Sequence, residues 1–274
     1  MTLPLKAVVF DWAGTMIDYG SFAPMGVFVE AFARFGIDVS IAEAREPMGR
    51  PKWDHIAAML AQPRIHAAWA TAHGHAPGES DIRAIYDVFV PMNEEVVGDF
   101  CTLVPGAAEM VAGLRARGLK IGSTTGYTRS IMDRVLPLAA AQGYAPDNLV
   151  CAGDLPAGRP TPMNMYKCFL DLGVWPAASV VKVDDTAVGI DEGREAGCWT
   201  VGVTLSGNEV GLTPEAVAAM LPAELAPLRD RAAAVLRARG ADYVIDTVAD
   251  LPAVLSQIEA RLAAGETPVP RHMP

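Results

Sequence analysis

The first apolar run, LKAVVF at residues 5–10, predicts a buried strand, and it ends on a carboxylate, Asp11. Strand signals then stop until residue 103. FAPMGVFVEAFARFG places apolar side chains at helical spacing and halts at Gly36. SIAEAREPMG, PKWDHIAAMLA, RIHAAWATAHG and ESDIRAIYDVFVPMNEEVV continue the same period. From Leu103 the rhythm changes. PGAAEMVAGLRARG reads as a helix, LKIGSTTG as a strand breaking into a glycine loop, and TRSIMDRVLPLAAAQG as a helix. DNLVCAGD follows as a short strand, then TPMNMYKCFLDLGV as a helix with Thr161 as N-cap ahead of Pro162. SVVKVDD, TAVGIDEGREAG and CWTVGVTL give strand, helix and strand; ADYVIDT and VADLPAVLSQIEARLAAG add one more pair.

Alternating strands and helices predict an α/β fold, a doubly wound parallel sheet, with an all-helical unit inserted after the first strand. The corresponding division is an α/β core over 1–19 and 103–264 and a helical insertion over 20–102. A frayed tail is expected over 265–274, where GETPVPRHMP carries three prolines and little to bury.

Composition narrows the partners. The chain has 274 residues, 51% of them hydrophobic, enough for one large core and a smaller one. Its formal net charge is −10 without a basic cluster, so neither nucleic acid nor an anionic membrane is an expected partner. No apolar stretch approaches the ~20 residues of a membrane span, and the first residues lack a signal-peptide pattern. Cys101, Cys151, Cys168 and Cys198 are scattered without a CxxC pair, which suits reduced thiols in the cytoplasm.

Ligands of open parallel sheets bind beyond the carboxyl ends of the strands, and four predicted strand ends carry chemistry here. The first gives Asp11 and then Thr15; the second gives Ser123, Thr124, Thr125 and Gly126. The third leads into AGRPTP with Arg159, and the fourth ends on Asp184 and Asp185. Each alone has an ordinary explanation as a strand-end cap, a turn residue or a surface charge. Together, in this order, they suit a phosphoryl group and a divalent metal. Mg²⁺ takes one or two carboxylates plus phosphate oxygens, and an arginine grips the remaining phosphate charge. An aspartate can itself attack phosphorus.

These motifs resemble the haloacid dehalogenase superfamily: DWAGT, STTG, GRPTP and VDDT, with the helical cap inserted after the first. The likeness implies Asp11 as nucleophile and the Ala13 carbonyl as a metal ligand. It also implies Thr125 and Gly126 as phosphate binders, Arg159 where lysine is usual, and Asp185 holding Mg²⁺ with Asp184 close by. Phosphatases of the superfamily carry a second acid two residues after the nucleophile for general acid–base work; here that residue is Ala13. In the cap stretch EPMGRPKWDH, Lys52 and His55 share a helix face if a helix starts near Pro51. A lysine amine of lowered pKa forms Schiff bases with carbonyl compounds. An imine beside a carbon–phosphorus bond would accept the departing electrons, and no acid at 13 would then be needed.

That combination, with GSTTGYTR and PAGRP, resembles the phosphonoacetaldehyde hydrolase (phosphonatase) family. The resemblance implies Lys52 as the Schiff-base residue, His55, Met48 and Tyr127 lining the site, and a homodimer through the caps. We add Gly49 and Thr15 to the expected substrate-binding residues. Some members of the family read GDT in the acid loop with a further acid four residues on; here Asp184 replaces that glycine and Gly189 occupies the later position. Two other readings remain open: a phosphate-ester phosphatase or phosphomutase on the same scaffold, and a non-catalytic protein that binds a phosphorylated metabolite.

Overall fold

The computed structural model describes residues 4–268. Of the expected tail 265–274, residues 269–274 lie outside the described residues. Residues 266–268 are irregular, with Glu266 paired to Arg261 at 2.8 Å.

The first strand, β1 (Ala7–Phe10), is followed by five helices. They are α1 (Ala23–Ala33), α2 (Ile41–Arg45), α3 (Lys52–Ala61), α4 (Pro63–His73) and α5 (Glu79–Val96). Then come α6 (Ala107–Ala116), β2 (Lys120–Thr128), α7 (Arg129–Ala141), β3 (Val150–Ala152) and α8 (Met163–Leu172). The chain closes with β4 (Val180–Asp184), α9 (Ala187–Glu195), β5 (Trp199–Val203), α10 (Pro214–Ala219), α11 (Pro222–Ala238), β6 (Tyr243–Ile245) and α12 (Leu251–Ala263). All strand pairs are parallel, in the order β3-β2-β1-β4-β5-β6. This is a haloacid dehalogenase-like fold: a Rossmann-like sheet with an inserted helical cap.

The alternation along each strand explains the two-sided packing. Val8 and Phe10 of β1 face one apolar cluster with Ile121, Val181 and Val183, covered by α6, α7 and α12. Ala7 and Val9 face the other, with Val180, Met165 and Cys168 from α8. The cap has its own core, built from Met25, Phe28, Phe32, Ile56, Met59, Trp69, Ile85 and Phe89. Its chain enters and leaves through two adjacent linkers. Ile17 bridges Leu103, the Asp18 N–H donates to the Thr102 carbonyl at 3.2 Å, and that of Val104 donates to Met16 at 2.9 Å. The buried Asp18 carboxylate then accepts from the N–H groups of Phe22 and Ala23, both at 2.9 Å, which starts α1.

Several local expectations need correction. STTG is not a loop: β2 runs on through Thr128, pairing with β1 only over 120–123 and reaching β3 through a register shift. It is extended backbone that leaves β1 and stays paired with β3, which the glycine disguised. Thr161 does not cap α8; the helix begins at Met163, and the Thr161 hydroxyl donates to the Gly158 carbonyl at 2.7 Å. Helices α10 and α11 had no expectation, because their small and charged residues give only a weak apolar stripe.

Candidate active site

Parallel register assembles the site. Phe10 pairs with Ser123 on one side and Val183 on the other, so Asp11, Thr124 and Asp184 stand in one row across three adjacent strands. The sheet reverses its winding between β1 and β4, where ligands bind in such folds.

The core side is a dense ionic network. Arg159 is buried and touches three acids: Asp11 at 2.7 Å, Asp184 at 3.4 Å and Glu192 at 3.1 Å. Its guanidinium also donates to the Thr124 carbonyl at 2.8 Å. Lys182 is fully buried and lies 3.1 Å from both Asp184 and Glu192, donating to the Thr124 hydroxyl at 2.7 Å. A buried charge needs such partners. Lys182 and Glu192 were missed from sequence; the signal was a lysine inside the apolar run VVKVDD, whose partner sits on the following helix.

Asp11, Asp184 and Asp185 present carboxylate oxygens within 4.8 Å of one another. Burial, then the neighbouring Asp184, raises the Asp11 pKa to about 6 against the pull of Arg159. Asp185 is pushed well above the usual carboxylate range by burial and by Asp11 and Asp184. Among the described residues its oxygens accept only from neutral donors, the Thr15 hydroxyl at 2.9 Å and the Asn208 N–H at 2.8 Å. A buried acid cluster with one member in no salt bridge among the described residues fits a bound divalent metal. The turn after Asp11 spends the carbonyls of Trp12, Ile17 and Asp18 on hydrogen bonds, not that of Ala13, and Ala13 lines the adjacent cavity.

The departures in the acid loop turn out to be one exchange. A Cβ at Gly189 would fall 1.9 Å from the Asp184 carboxyl carbon, so a side chain at 189 and this carboxylate exclude each other.

The cap side is apolar around one amine. Lys52 is the first residue of α3, after Pro51, where the helix dipole opposes a cation. Its Nζ lies 4.9 Å from the Tyr127 ring centroid, 5.5 Å from Phe28 and 5.9 Å from Phe89. Burial lowers its pKa to about 7; Arg159 adds to that, while Asp11 and Asp18 oppose it. His55 is buried, stacked on Phe28 at 4.0 Å, with Nε2 2.8 Å from the Ala44 carbonyl. That contact puts the proton on Nε2 and leaves Nδ1 as a buried lone pair without a partner among the described residues. Burial and the Lys52 charge hold its pKa well below 6.5.

A cavity of about 20 Å³ joins the two sides, lined by Asp11, Ala13, Ser21, Pro24, Met48, Gly49, Arg50, Lys52, Thr125, Gly126, Tyr127, Arg159 and Thr186. Of the expected residues four lie outside this lining: Thr15 lies behind, on Asp185, His55 is set back in the cap, and Asp184 and Asp185 sit beneath the cavity against Asp11. Ser21, unforeseen, and Tyr127 each present a buried hydroxyl without a partner among the described residues. Burial, with help from Asp18 and Asp11, keeps the Tyr127 phenol neutral. The cap seats closely. A Cβ at Gly49 would lie 2.4 Å from the Thr186 hydroxyl, one at Gly126 2.7 Å from the Arg50 carbonyl, and one at Gly158 2.8 Å from Pro51.

The family model for haloacid dehalogenase-like hydrolases matches residues 5–197. A phosphonoacetaldehyde hydrolase of Paraburkholderia phytofirmans is 55% identical over 96% of this chain and 99% of its own length. One from Bordetella pertussis is 50% identical over 97% and 98%. The crystal structure of a phosphonoacetaldehyde hydrolase-like protein from Oleispira antarctica superimposes with a TM-score of 0.96 at 46% identity, covering 97% of each chain. The chain therefore belongs to the haloacid dehalogenase-like hydrolases and, within them, to the phosphonoacetaldehyde hydrolase family.

Proposed function

We propose that this enzyme hydrolyses the carbon–phosphorus bond of phosphonoacetaldehyde to acetaldehyde and phosphate, with Lys52 as imine-forming amine and Asp11 as nucleophile. One observation carries the reading: a buried lysine with a pKa lowered to about 7 shares its cavity with Asp11, while Ala13 stands where an ester phosphatase needs its acid.

The neutral Lys52 amine adds to the aldehyde and, with loss of water, gives an imine. His55, uncharged and with Nδ1 open, is assigned to take the proton that Lys52 sheds and to return it to the imine nitrogen, giving the iminium. Arg159 and the Thr125–Gly126 backbone hold the phosphonate oxygens, and Tyr127, Met48, Gly49 and Ser21 enclose the carbon end. An Asp11 oxygen attacks phosphorus in line. The carbon–phosphorus pair flows toward the iminium nitrogen, leaving an enamine on Lys52 and a phosphoryl group on Asp11. Protonation at carbon and hydrolysis release acetaldehyde and free Lys52, and water then returns Asp11 and phosphate. Asp11, the Ala13 carbonyl and Asp185 would hold Mg²⁺, with Asp184 beside it; when bound, it neutralises phosphonate charge. Asp185 is preferred to Asp184 because Lys182 and Arg159 already balance the latter.

Free space of about 20 Å³ admits roughly one water, so substrate enters with the cap drawn back and reacts with it shut. We also assign a cap-to-cap homodimer, supported by an apolar hollow of about 290 Å³ between α1 and α5 that includes Phe22, Val27, Met92 and Phe100. A cytoplasmic setting agrees with four free, buried cysteines, and no helix among the described residues is long and apolar enough to cross a membrane.

The decisive assay follows phosphate and acetaldehyde release from phosphonoacetaldehyde, with borohydride added during turnover. One equivalent of label on the peptide holding Lys52 is expected. Turnover that leaves this lysine unlabelled excludes the imine route, and phosphate release from esters alone restores the phosphatase reading.

A further inference from the structure

The loop after β5, residues 204–211, belongs to none of the four strand-end motifs, yet it touches the nucleophile turn, the acid loop, the cap linker and the cap. Its Asn208 is buried and donates its backbone N–H to Asp185 at 2.8 Å. Its Ser206 hydroxyl donates to the Gly14 carbonyl at 2.9 Å, within the nucleophile turn, and its Ser206 carbonyl accepts from Gly20 in the cap linker at 2.7 Å.

Across the cleft, Arg45 ends α2 of the cap, three residues before Met48 and four before Gly49. Its Nη1 donates to the Gly20 carbonyl at 2.8 Å, the Asn208 side-chain oxygen at 3.1 Å and the Asn208 carbonyl at 3.3 Å. The Asn208 amide nitrogen in turn reaches the Arg45 carbonyl at 3.5 Å. The guanidinium is held flat: the Phe22 ring lies 5.2 Å from its Cζ, and a Cβ at Gly211, where φ is +61°, would lie 2.8 Å from it. Within the same loop, a Cβ at Gly207 would lie 2.7 Å from the Asp185 Cβ. The socket is thus shaped by two glycines, one fitted to the arginine and one to the acid. A surface arginine–amide contact needs none of this.

We propose that Arg45 is a positioning residue, a latch that holds the cap shut by seating in the 204–211 loop, and that through Asn208 it couples cap closure to cation binding at Asp185. The same asparagine cannot serve both neighbours from two loop conformations, so a cation that fixes Asp185 favours the seated arginine. By reciprocity, a seated arginine favours the cation by the same factor. This rests on the metal assigned above, and its test reads binding and closure separately from turnover.

The experiment titrates full-length protein with Mn²⁺, following binding by water-proton relaxation and cap closure by amide exchange in the peptide spanning Met48–Arg50. In the unaltered chain, saturating Mn²⁺ is expected to slow exchange there by roughly tenfold, within the usual range of such couplings. Arg45→Met keeps the stem over Phe22 but removes the donors; Asn208→Ala removes the acceptor side chain and keeps the N–H to Asp185. Each is expected to abolish most of that response and to weaken Mn²⁺ by a similar factor, and the double variant to lose no more than either single one. Exchange in β1 and β4 serves as the folding control, and Arg45→Lys, expected to recover part of the response, replaces any variant that fails it. An undiminished response in Arg45→Met or Asn208→Ala overturns the latch while leaving the metal in place. Absence of Mn²⁺ binding to the unaltered chain overturns the metal assignment and the coupling with it.

Discussion

The two faces of the cavity are built on opposite principles. The core face is charge held by charge: Arg159 and Lys182 tie Asp11, Asp184 and Glu192 into one network. The cap face is an amine set among rings, with no acid in contact among the described residues: Lys52 faces Tyr127, Phe28 and Phe89, and burial brings its pKa down to about 7 against the pull of Asp11 and Asp18. A phosphonate oxygen needs fixed counter-charge, which the first arrangement supplies without reorganisation. An amine that must lose a proton and attack carbon needs a dry, apolar setting, which the second supplies. The division follows the substrate: phosphorus on the core side, carbon on the cap side.

Changes that erase this contrast rank by size. Lys52→Arg keeps a cation but cannot form an imine; turnover of phosphonoacetaldehyde is expected to fall at least ~10⁴-fold, several kcal/mol of barrier, with circular dichroism unchanged. Retained activity in that variant would falsify the imine. On the core face, Arg159→Met leaves three buried acids short of a cation, and a stability loss of about 3–5 kcal/mol is expected in denaturant titration. Loss of under 1 kcal/mol would show that the network is not what holds Asp11. Between the faces, Gly49→Ala meets two obstacles, a φ of +88° and a Thr186 hydroxyl fixed by its own bond to Asp184 at 2.7 Å. The cap should seat poorly and kcat/KM fall ~100-fold with little change in melting temperature; an unaltered kcat/KM would mean that the closed pose is not the reactive one.

What the sequence made legible divides along the same line. Groups at strand ends could be read because a parallel sheet brings strand C-termini to one edge: Asp11, Thr125 and Asp185 needed only the strand order. Their counter-charges could not be read so easily. Glu192 lies one helix beyond its strand and differs from any surface glutamate only through Lys182, itself hidden inside an apolar run. Asn208 and Ser206 sit in a loop with no periodicity, and Arg45 acts across the cap boundary. Such contacts depend on how two separately packed units meet, which local pattern does not encode. Thr15 shows the opposite failure: the motif suggested a substrate contact, and the hydroxyl instead donates to Asp185.

The smallest effect tests whether the cap face is held against its own stability. Unfolded, a lysine titrates near 10.5; folded, Lys52 titrates at about 7. Between those values the unfolded chain binds the extra proton, so stability rises with pH from ~7 to ~10.5 and the burden is full below ~7. The shift sets an upper bound of a few kcal/mol, which cap opening reduces by letting water reach the ammonium. Lys52→Met fills the same space without a charge and is expected to stabilise the protein by about 1–2 kcal/mol at pH 7, the gain shrinking toward pH 10, while abolishing turnover. Denaturant titration at the two pH values decides the cause: equal stabilisation at pH 7 and pH 10 would assign the gain to packing and leave Lys52 with an unshifted pKa.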